Sequence, residues 1–486
     1  MIKNDHQPKH NKRRYLWGTL IGLCVLLEGS FACGVKPEKL SKALSILHQA
    51  RALTESIKDE PWRALTLNSL SLRYALAEDG DRAIKIARMI EDEKERESTI
   101  KSIGRVLADQ QQLDKVRKLA STLSSTRYQE EMYLYIVGEQ ANIGAIEAAI
   151  EMTKNIENLS LKDRAFKSIA LAKTKTGNID GALRSTQRIR PKWQAFALKD
   201  MALALLGQGD RKAAWRIVSS IKDSYDRSQA IYALAKTFIT NGDTQEAFRM
   251  IPHIPRQKEQ NLTLRDIAIK QTQGSNLQAA LKTAARINDA DEYEETLAGI
   301  VHVLAQTGKI QEGLDLTMSI KKQVSRENAF QAIVLAYARQ GNVAIALEKL
   351  DEFGLTYSKE SLLPHIAMTA ARAGHIKKGL NLTNSIQPGL SRNDNLMNIA
   401  VIQAEQGDVD GARKTIEQMI PSEHPEMDIL VKVGSIQFLS LAQTKNGAAQ
   451  EAMAWVNQQN NTLERVMGLL GIVDGLLRQE TQRETS

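Results

Sequence analysis

The chain is expected to be all-α, a right-handed α-solenoid of about twelve helix-turn-helix repeats of about 33 residues. Composition points that way: aromatic residues make up 5% and prolines number only 10 in 486, while Ala, Leu, Ile, Lys, Glu and Gln recur throughout. A second sign is a glycine that interrupts helical segments and returns at near-constant intervals. A third is a large and a small side chain standing at fixed distances from that glycine.

Residues 1–33 read as a leader. Lys9, Lys12, Arg13 and Arg14 precede a 13-residue, mainly apolar run from Tyr15 to Leu27, shorter than a bilayer span of about 20 residues. This is the layout of a bacterial export signal. Ser30 and Ala32 supply the small residues that an ordinary signal peptidase needs before Cys33. Ala32-Cys33-Gly34 also resembles a lipoprotein signal, which implies lipidation at Cys33, although Ser30 and Phe31 depart from that pattern. A third reading keeps the run as an uncleaved anchor. Each of the three places the body outside the cytoplasm, in the periplasm or cell envelope.

Residues 36–57 read as an N-terminal half repeat and 58–459 as the solenoid. Gly144, Gly177, Gly209, Gly242, Gly308, Gly341, Gly374 and Gly407 follow one another at 33, 32, 33, 66, 33, 33 and 33 residues, and Ser275 fills the wide gap. Eight residues before each of these reference positions stands a large apolar side chain (Ile136, Ile169, Met201, Leu234, Ile267, Ile300, Ile333, Ile366, Ile399), and five after it a small one (Ala149, Ala182, Ala214, Ala247, Ala280, Gly313, Ala346, Gly379, Ala412). Gly447, with Leu439 and Ala452, comes 40 residues after Gly407, so one repeat carries an insertion near Pro421 and Pro425. Stepping back by 33 gives Gln111 and Glu78, where the glycine is missing but Ile103, Leu70 and Ala83 keep the frame.

Each unit reads as two helices. Ser228–Ile239 has the three- and four-residue apolar spacing of an amphipathic helix. Glycine then takes the left-handed conformation that ends it. Asn178, Asp210, Asp243, Asn342 or Asp408 follows, suited to capping the second helix. The small residue five along lets the paired helices approach closely. Single hairpins cannot bury both apolar sides, but stacked copies can. Residues 460–478 read as an amphipathic helix capping the open end of the stack, and 479–486 as a disordered tail.

The net charge of +8 has +3 of its excess in residues 1–32, and the body interleaves both signs. No basic and aromatic interleaving of the kind that binds nucleic acid is present. Both cysteines lie in the leader and the eight histidines are scattered, so no internal disulfide of the body, metal site or cofactor is expected. No nucleophile elbow or phosphate-binding glycine loop appears, and no catalytic residue is assigned. Ser219 with Lys222 and Ser319 with Lys322 match an SxxK spacing but share one place at the end of a second helix. Asp289, Asp291, Glu294 and Glu295 read as helix-start acids favoured by the dipole.

With these features the chain resembles the tetratricopeptide repeat (TPR-like) family. The helix pair, the period, the small residue eight into the first helix (Ala170, Ala202, Ala235, Ala367, Ala400), the turn glycine and the small residue after it all match. No regular Trp opens the units, and the closing proline is irregular. The resemblance runs from about residue 40 to 478 and speaks for fold more than for function. It implies that a protein or peptide binds along a concave surface built from the first helices. Arg164, Lys167, Lys199, Tyr232, Lys236, Gln271, His302, Gln331, Arg339 and Arg372, with Gln229 and Asn261, would then face the groove, a polar and mildly basic set suited to an acidic partner. The expected function is an exported, non-catalytic binding scaffold. Two alternatives stand beside it, a self-associating structural component of an envelope assembly and a carboxylate-based glycan-processing enzyme.

Overall fold

The computed structural model describes residues 35–354, 359–420 and 425–478. The leader with Cys33, four residues of the insertion and the tail at 479–486 lie outside the described residues. Among the described residues every regular element is helical. In chain order the α-helices are α1 (Pro37–Thr54), α2 (Glu60–Leu76), α3 (Gly80–Ala87), α4 (Glu93–Asp109), α5 (Leu113–Ala120), α6 (Thr126–Asn142), α7 (Ile146–Met152), α8 (Leu159–Lys175) and α9 (Ile179–Thr186). Next come α10 (Pro191–Gly207), α11 (Arg211–Ser219), α12 (Ser224–Thr240), α13 (Thr244–Met250), α14 (Gln257–Gln273), α15 (Leu277–Ala284), α16 (Ala290–Gln306), α17 (Ile310–Ser319) and α18 (Gln323–Arg339). The rest are α19 (Val343–Glu352), α20 (Lys359–Arg372), α21 (Ile376–Ser385), α22 (Leu390–Glu405), α23 (Val409–Ile416), α24 (Pro425–Lys445), α25 (Ala449–Asn457) and α26 (Thr462–Leu477). From α2 to α25 a long first helix alternates with a short second one.

The repeat register is visible in the backbone. The reference glycines have φ between 78° and 90°. Among the described residues, those other than glycine with positive φ are Glu78, Gln111 and Ser275, at 62°, 62° and 60°, the three reference positions that lack glycine. The chain therefore makes the same left-handed turn at every unit, with or without the residue that makes it easily. The large side chains eight before, from Ile136 to Ile399, are 0–2% exposed. Of the residues five after, Ala149, Ala182, Ala247, Ala280, Ala346 and Ala412 are fully buried. Asn178, Asp210, Asp243 and Asp408 each accept an amide of the second helix that follows, whereas Asn342 makes no such side-chain cap.

The chain divides into two units, 126–373 and a discontinuous one made of 1–125 with 374–486. In unit 126–373 each first helix lies against the next, α6 on α8, α8 on α10 and so on to α20, while each second helix from α7 to α19 packs on its own first helix. This is the stacking that gives hairpins a shared core.

The discontinuous unit has a different centre. Helix α26 packs against α24, α1 and α2. An amphipathic cap would keep one side in water, but no residue of α26 is exposed. A helix apolar all round belongs in an interior. The expected end cap is thus a wedge covered on both sides. Gly468, Gly471 and Gly475 let it approach closely, since a Cβ on Gly471 would fall on the Gln437 carbonyl and one on Gly475 on Thr444. The charged residues of α26 are Glu464 and Arg465 in the first turn, Glu464 pairing with Lys432 at 2.7 Å, and the more deeply buried Asp474. Asp474 accepts from Arg73 Nε at 2.8 Å and Nη2 at 2.6 Å, and from Gln437 Nε2 at 3.2 Å. The Arg73 and Asp474 side chains are 3% and 2% exposed.

Candidate functional site

A position fourteen residues before the reference, apolar in the first and last repeats as Ala64 and Val433 but mostly polar between them, ties several repeats to the next. Between those ends it reads Glu97, Glu130, Asp163, Ala195, Ser228, Asn261, Glu294, Glu327, Glu360 and Asn393. Six of these side chains accept backbone amides from the loop that opens the following first helix. Glu130 takes Glu157 N at 2.8 Å, Asp163 takes Arg190 N at 2.9 Å and Glu294 takes Lys321 N at 2.7 Å. Ser228 takes Arg256 N, Asn393 takes Ile420 N, and Glu97 takes the amides of Ser124 and Ser125. Burial would raise the pKa of Glu97, but the Ser124 and Ser125 hydrogen bonds, aided by Arg96, outweigh it and hold the carboxyl below its ordinary value. Glu294, read from sequence as a helix-start acid, serves the next repeat instead, while Asp289 does cap its own helix by accepting from Glu292 N.

Ala195 breaks this series. It has no acceptor to offer, and it lines a cavity of about 260 Å³ between α10 and α12. Phe196 and Lys199 of α10 and Tyr225, Asp226, Gln229, Tyr232, Ala233 and Lys236 of α12 complete the lining. Among the described residues the exposed aromatic side chains are Trp193, Phe196 and Tyr225, at 39%, 45% and 49%, all at or beside this cavity. Trp193 and Phe196 lie with ring centroids 5.4 Å apart. Each ring has a cation near its face, Lys192 for Trp193, Lys199 for Phe196 and Arg256 for Tyr225, at 5.4, 5.6 and 4.8 Å.

The polar groups of the lining differ in how far they are engaged. Tyr232 donates its hydroxyl to Asp266 at 2.7 Å, and burial followed by that carboxylate pushes its pKa up to about 12. Gln229 gives its amide to Glu259 at 2.6 Å. Lys199 stands 3.8 Å from Asp200, which Lys167 already pairs at 2.9 Å. Lys236 is exposed and has no acidic partner among the described residues. Asp226 is the one carboxylate of the lining. Burial, then the Asp223 charge, raises its pKa above the ordinary aspartate value.

Of the residues expected in a groove, Lys199, Gln229, Tyr232 and Lys236 meet at this cavity, and Lys167 adjoins it through Asp200. Arg164 is exposed on α8 and Arg372 on α20, and Gln331 is half-buried on α18. His302 of α16 lies beside Arg339 of α18. Partial enclosure, then the Arg339 charge, lowers the His302 pKa, and Arg339 Nη1 is buried without a hydrogen-bond partner among the described residues. Gln271 is half-buried and accepts from Thr283 of its own hairpin at 2.8 Å, and Asn261 is only 2% exposed, so the Asn261 side chain is closed to a ligand. Cys33 lies outside the described residues.

Sequence reasoning missed Trp193, Phe196, Tyr225 and the Ala195 gap. The signal was partial: from Glu97 to Asn393 the position fourteen before the reference is polar except at Ala195, but Ala64 and Val433 hold it in the first and last repeats. A second cavity of about 200 Å³ lies between α11 and α13, against Trp215, Phe238 and Met250. Its rim arginines are already paired, Arg211 with Asp243 at 3.6 Å and Arg249 with Glu246. Among the described residues no cluster of metal-ligating side chains occurs, and no helix is long and apolar enough to cross a membrane.

No protein-family model matches the chain, and no characterised protein matches it in sequence. Solved structures to which it is similar include Naa15/Naa10 bound to HypK-THB, at 14% identity over 81% of this chain and 67% of that one, with a TM-score of 0.27. Another is Ton1535 from Thermococcus onnurineus NA1, at 14% identity over 76% and 98% of the two chains, TM-score 0.21. A third is a circular tandem repeat protein with novel repeat topology, at 13% identity over 90% and 96%, TM-score 0.12.

Proposed function

We propose that this chain is a non-catalytic scaffold, TPR-like in its repeats and exported to the cell envelope, that holds a protein or peptide partner with acidic side chains against its first helices. One observation carries this reading: the exposed aromatic side chains gather beside one cavity on two adjacent first helices. Such rings are the usual anchors of recognition surfaces and are seldom left in water without a role. The ammonium groups of Lys192, Lys199 and Lys236 set the preferred charge of the partner. The basic and apolar leader supports export, with Cys33 as the candidate site of lipid attachment.

The test is capture of the native partner by chemical crosslinking in envelope fractions, with the wild type beside a Lys236→Glu, Arg339→Glu, Arg372→Glu variant. The variant should lose most of the captured partner while keeping its helical circular dichroism. Undiminished capture would reject this face. Fractionation of Cys33→Ala against wild type, with a metabolic lipid label, tests the leader; a chain that stays cytoplasmic overturns export.

A further inference from the structure

We propose that the cavity between α10 and α12 seats one aromatic or long apolar side chain of a protein segment, and that carboxylates flanking that side chain pair with Lys199 and Lys236. This rests on the scaffold reading and names the feature of the partner that the surface selects.

Size gives the first argument. A cavity of about 150 Å³ holds a benzene ring, and pockets for whole cofactors or drug-sized ligands run from roughly 300 Å³ upward. At about 260 Å³ this one matches a single large side chain. Repetition gives the second. In six other repeats the register position of Ala195 carries a polar side chain that is spent on the next repeat's loop, as Asp163 is on Arg190 and Ser228 on Arg256. At Ala195 that side chain is absent, and Phe196 beside it is 45% exposed. The cavity is lined by this one pair of first helices.

Chemistry decides the class of occupant. A sugar would need free hydrogen-bonding side chains among the rings, but the Tyr232 hydroxyl is committed to Asp266 and the Gln229 amide to Glu259. What remains open is the ring surface of Phe196 and Tyr225 and the ammonium groups of Lys199 and Lys236. Two lysines and one carboxylate, Asp226, line the cavity; Asp200, 3.8 Å from Lys199, is paired by Lys167 at 2.9 Å, and Lys236 has no acidic partner among the described residues, which favours an anionic segment. The same arrangement makes Asp226 a diagnostic residue, because it repels a carboxylate but would accept from a sugar hydroxyl.

The experiment measures fluorescence anisotropy of labelled peptides with the full chain. The probe carries one Phe between two Glu on each side in a Gly/Ser frame; controls replace Phe by Ala, or Glu by Lys. The probe should bind saturably, lose about tenfold on Phe→Ala and lose all measurable binding on Glu→Lys. In the protein, Phe196→Ala and Lys236→Glu should each weaken the probe about tenfold. Asp226→Asn should tighten it roughly threefold by removing a like charge. Circular dichroism melts check that the variants fold, and Tyr225→Ala provides a second, independent ring deletion. Equal affinity for the Phe and Ala peptides, weaker binding on Asp226→Asn, absence of saturable binding, or saturable binding of neutral oligosaccharides at the same residues would each overturn the proposal. If crosslinking still captures the native partner while Phe196→Ala and Asp226→Asn leave that capture unchanged, the anchor site fails and the scaffold stands. If no protein partner is captured at all, the scaffold reading itself fails.

Discussion

Ser275 has φ of 60° at a position where the neighbouring repeats place glycine, and that makes Ser275→Gly a substitution with a calculable sign. An L-residue in the left-handed region costs about 1–2 kcal/mol. Glycine removes that cost but loses roughly 0.5–1 kcal/mol more conformational entropy on folding. The balance runs from near zero to a stabilisation of about 1.5 kcal/mol. Ser275 is exposed, so no packing is lost. The reverse change, Gly308→Ala, should cost about 1 kcal/mol, because a Cβ there meets nothing within 4 Å and the backbone conformation is the only thing altered. Guanidinium unfolding followed at 222 nm reads both. Repeat stacks can unfold in stages, so hydrogen exchange of the two turns should be measured beside the midpoints. Ser275→Gly should raise the midpoint and slow exchange locally, and Gly308→Ala should do the opposite. A lower midpoint for Ser275→Gly, or no change for Gly308→Ala, would refute the assignment of these residues to one common turn.

Asp474→Ala should destabilise the discontinuous unit by about 3–5 kcal/mol by removing the carboxylate paired with the buried Arg73 guanidinium, whereas Arg73→Met with Asp474→Leu should recover most of that loss in the same denaturation assay. Ala346→Leu fills a site that is 0% exposed between paired helices and should cost roughly 1–3 kcal/mol by thermal melt; an unchanged melt would contradict the register. The His302 pKa is lowered in the folded chain, so the unfolded chain binds the proton more readily. Its contribution to stability is complete above the ordinary histidine value of about 6.5 and drains away as pH falls through the lower folded value. His302→Gln should therefore flatten the acid side of the stability profile, and Arg339→Gln should move the His302 titration seen by NMR upward.

The repeats were legible because their spacing is a property of each hairpin alone. Ile333 and Ala346 sit at fixed steps from Gly341 whatever surrounds them, and both are fully buried. Glu130 and Glu294 were not legible as interrepeat ties, because the amides they satisfy lie 27 residues further on and come close only through stacking. The basic half of the site was visible as lysines at groove positions of the first helix. Its aromatic half was hidden, since Phe196 reads from sequence like any apolar helix residue, and Ala195 departs from the polar run between Glu97 and Asn393 no more than Ala64 and Val433 do at its ends. Helix α26 showed an apolar stripe but also Gly468, Gly471 and Gly475 on its other side, and those glycines mark a second packed surface that a cap would not need.

The wedge position of α26 ties the fate of early residues to late ones. Arg73 and Asp474 are separated by 401 positions, so the pocket of α1 and α2 that receives α26 is synthesised long before its contents. Contacts so distant along the chain form slowly, and the sides of α1 and α2 that receive α26 wait for them. A ribosome or translocon delivering the polypeptide in order would release 126–373 able to condense while the N-terminal helices still lacked their last neighbour. A stop codon introduced before Thr462 should accordingly expose α1 and α2 to protease, so that damage at one terminus is read out at the other.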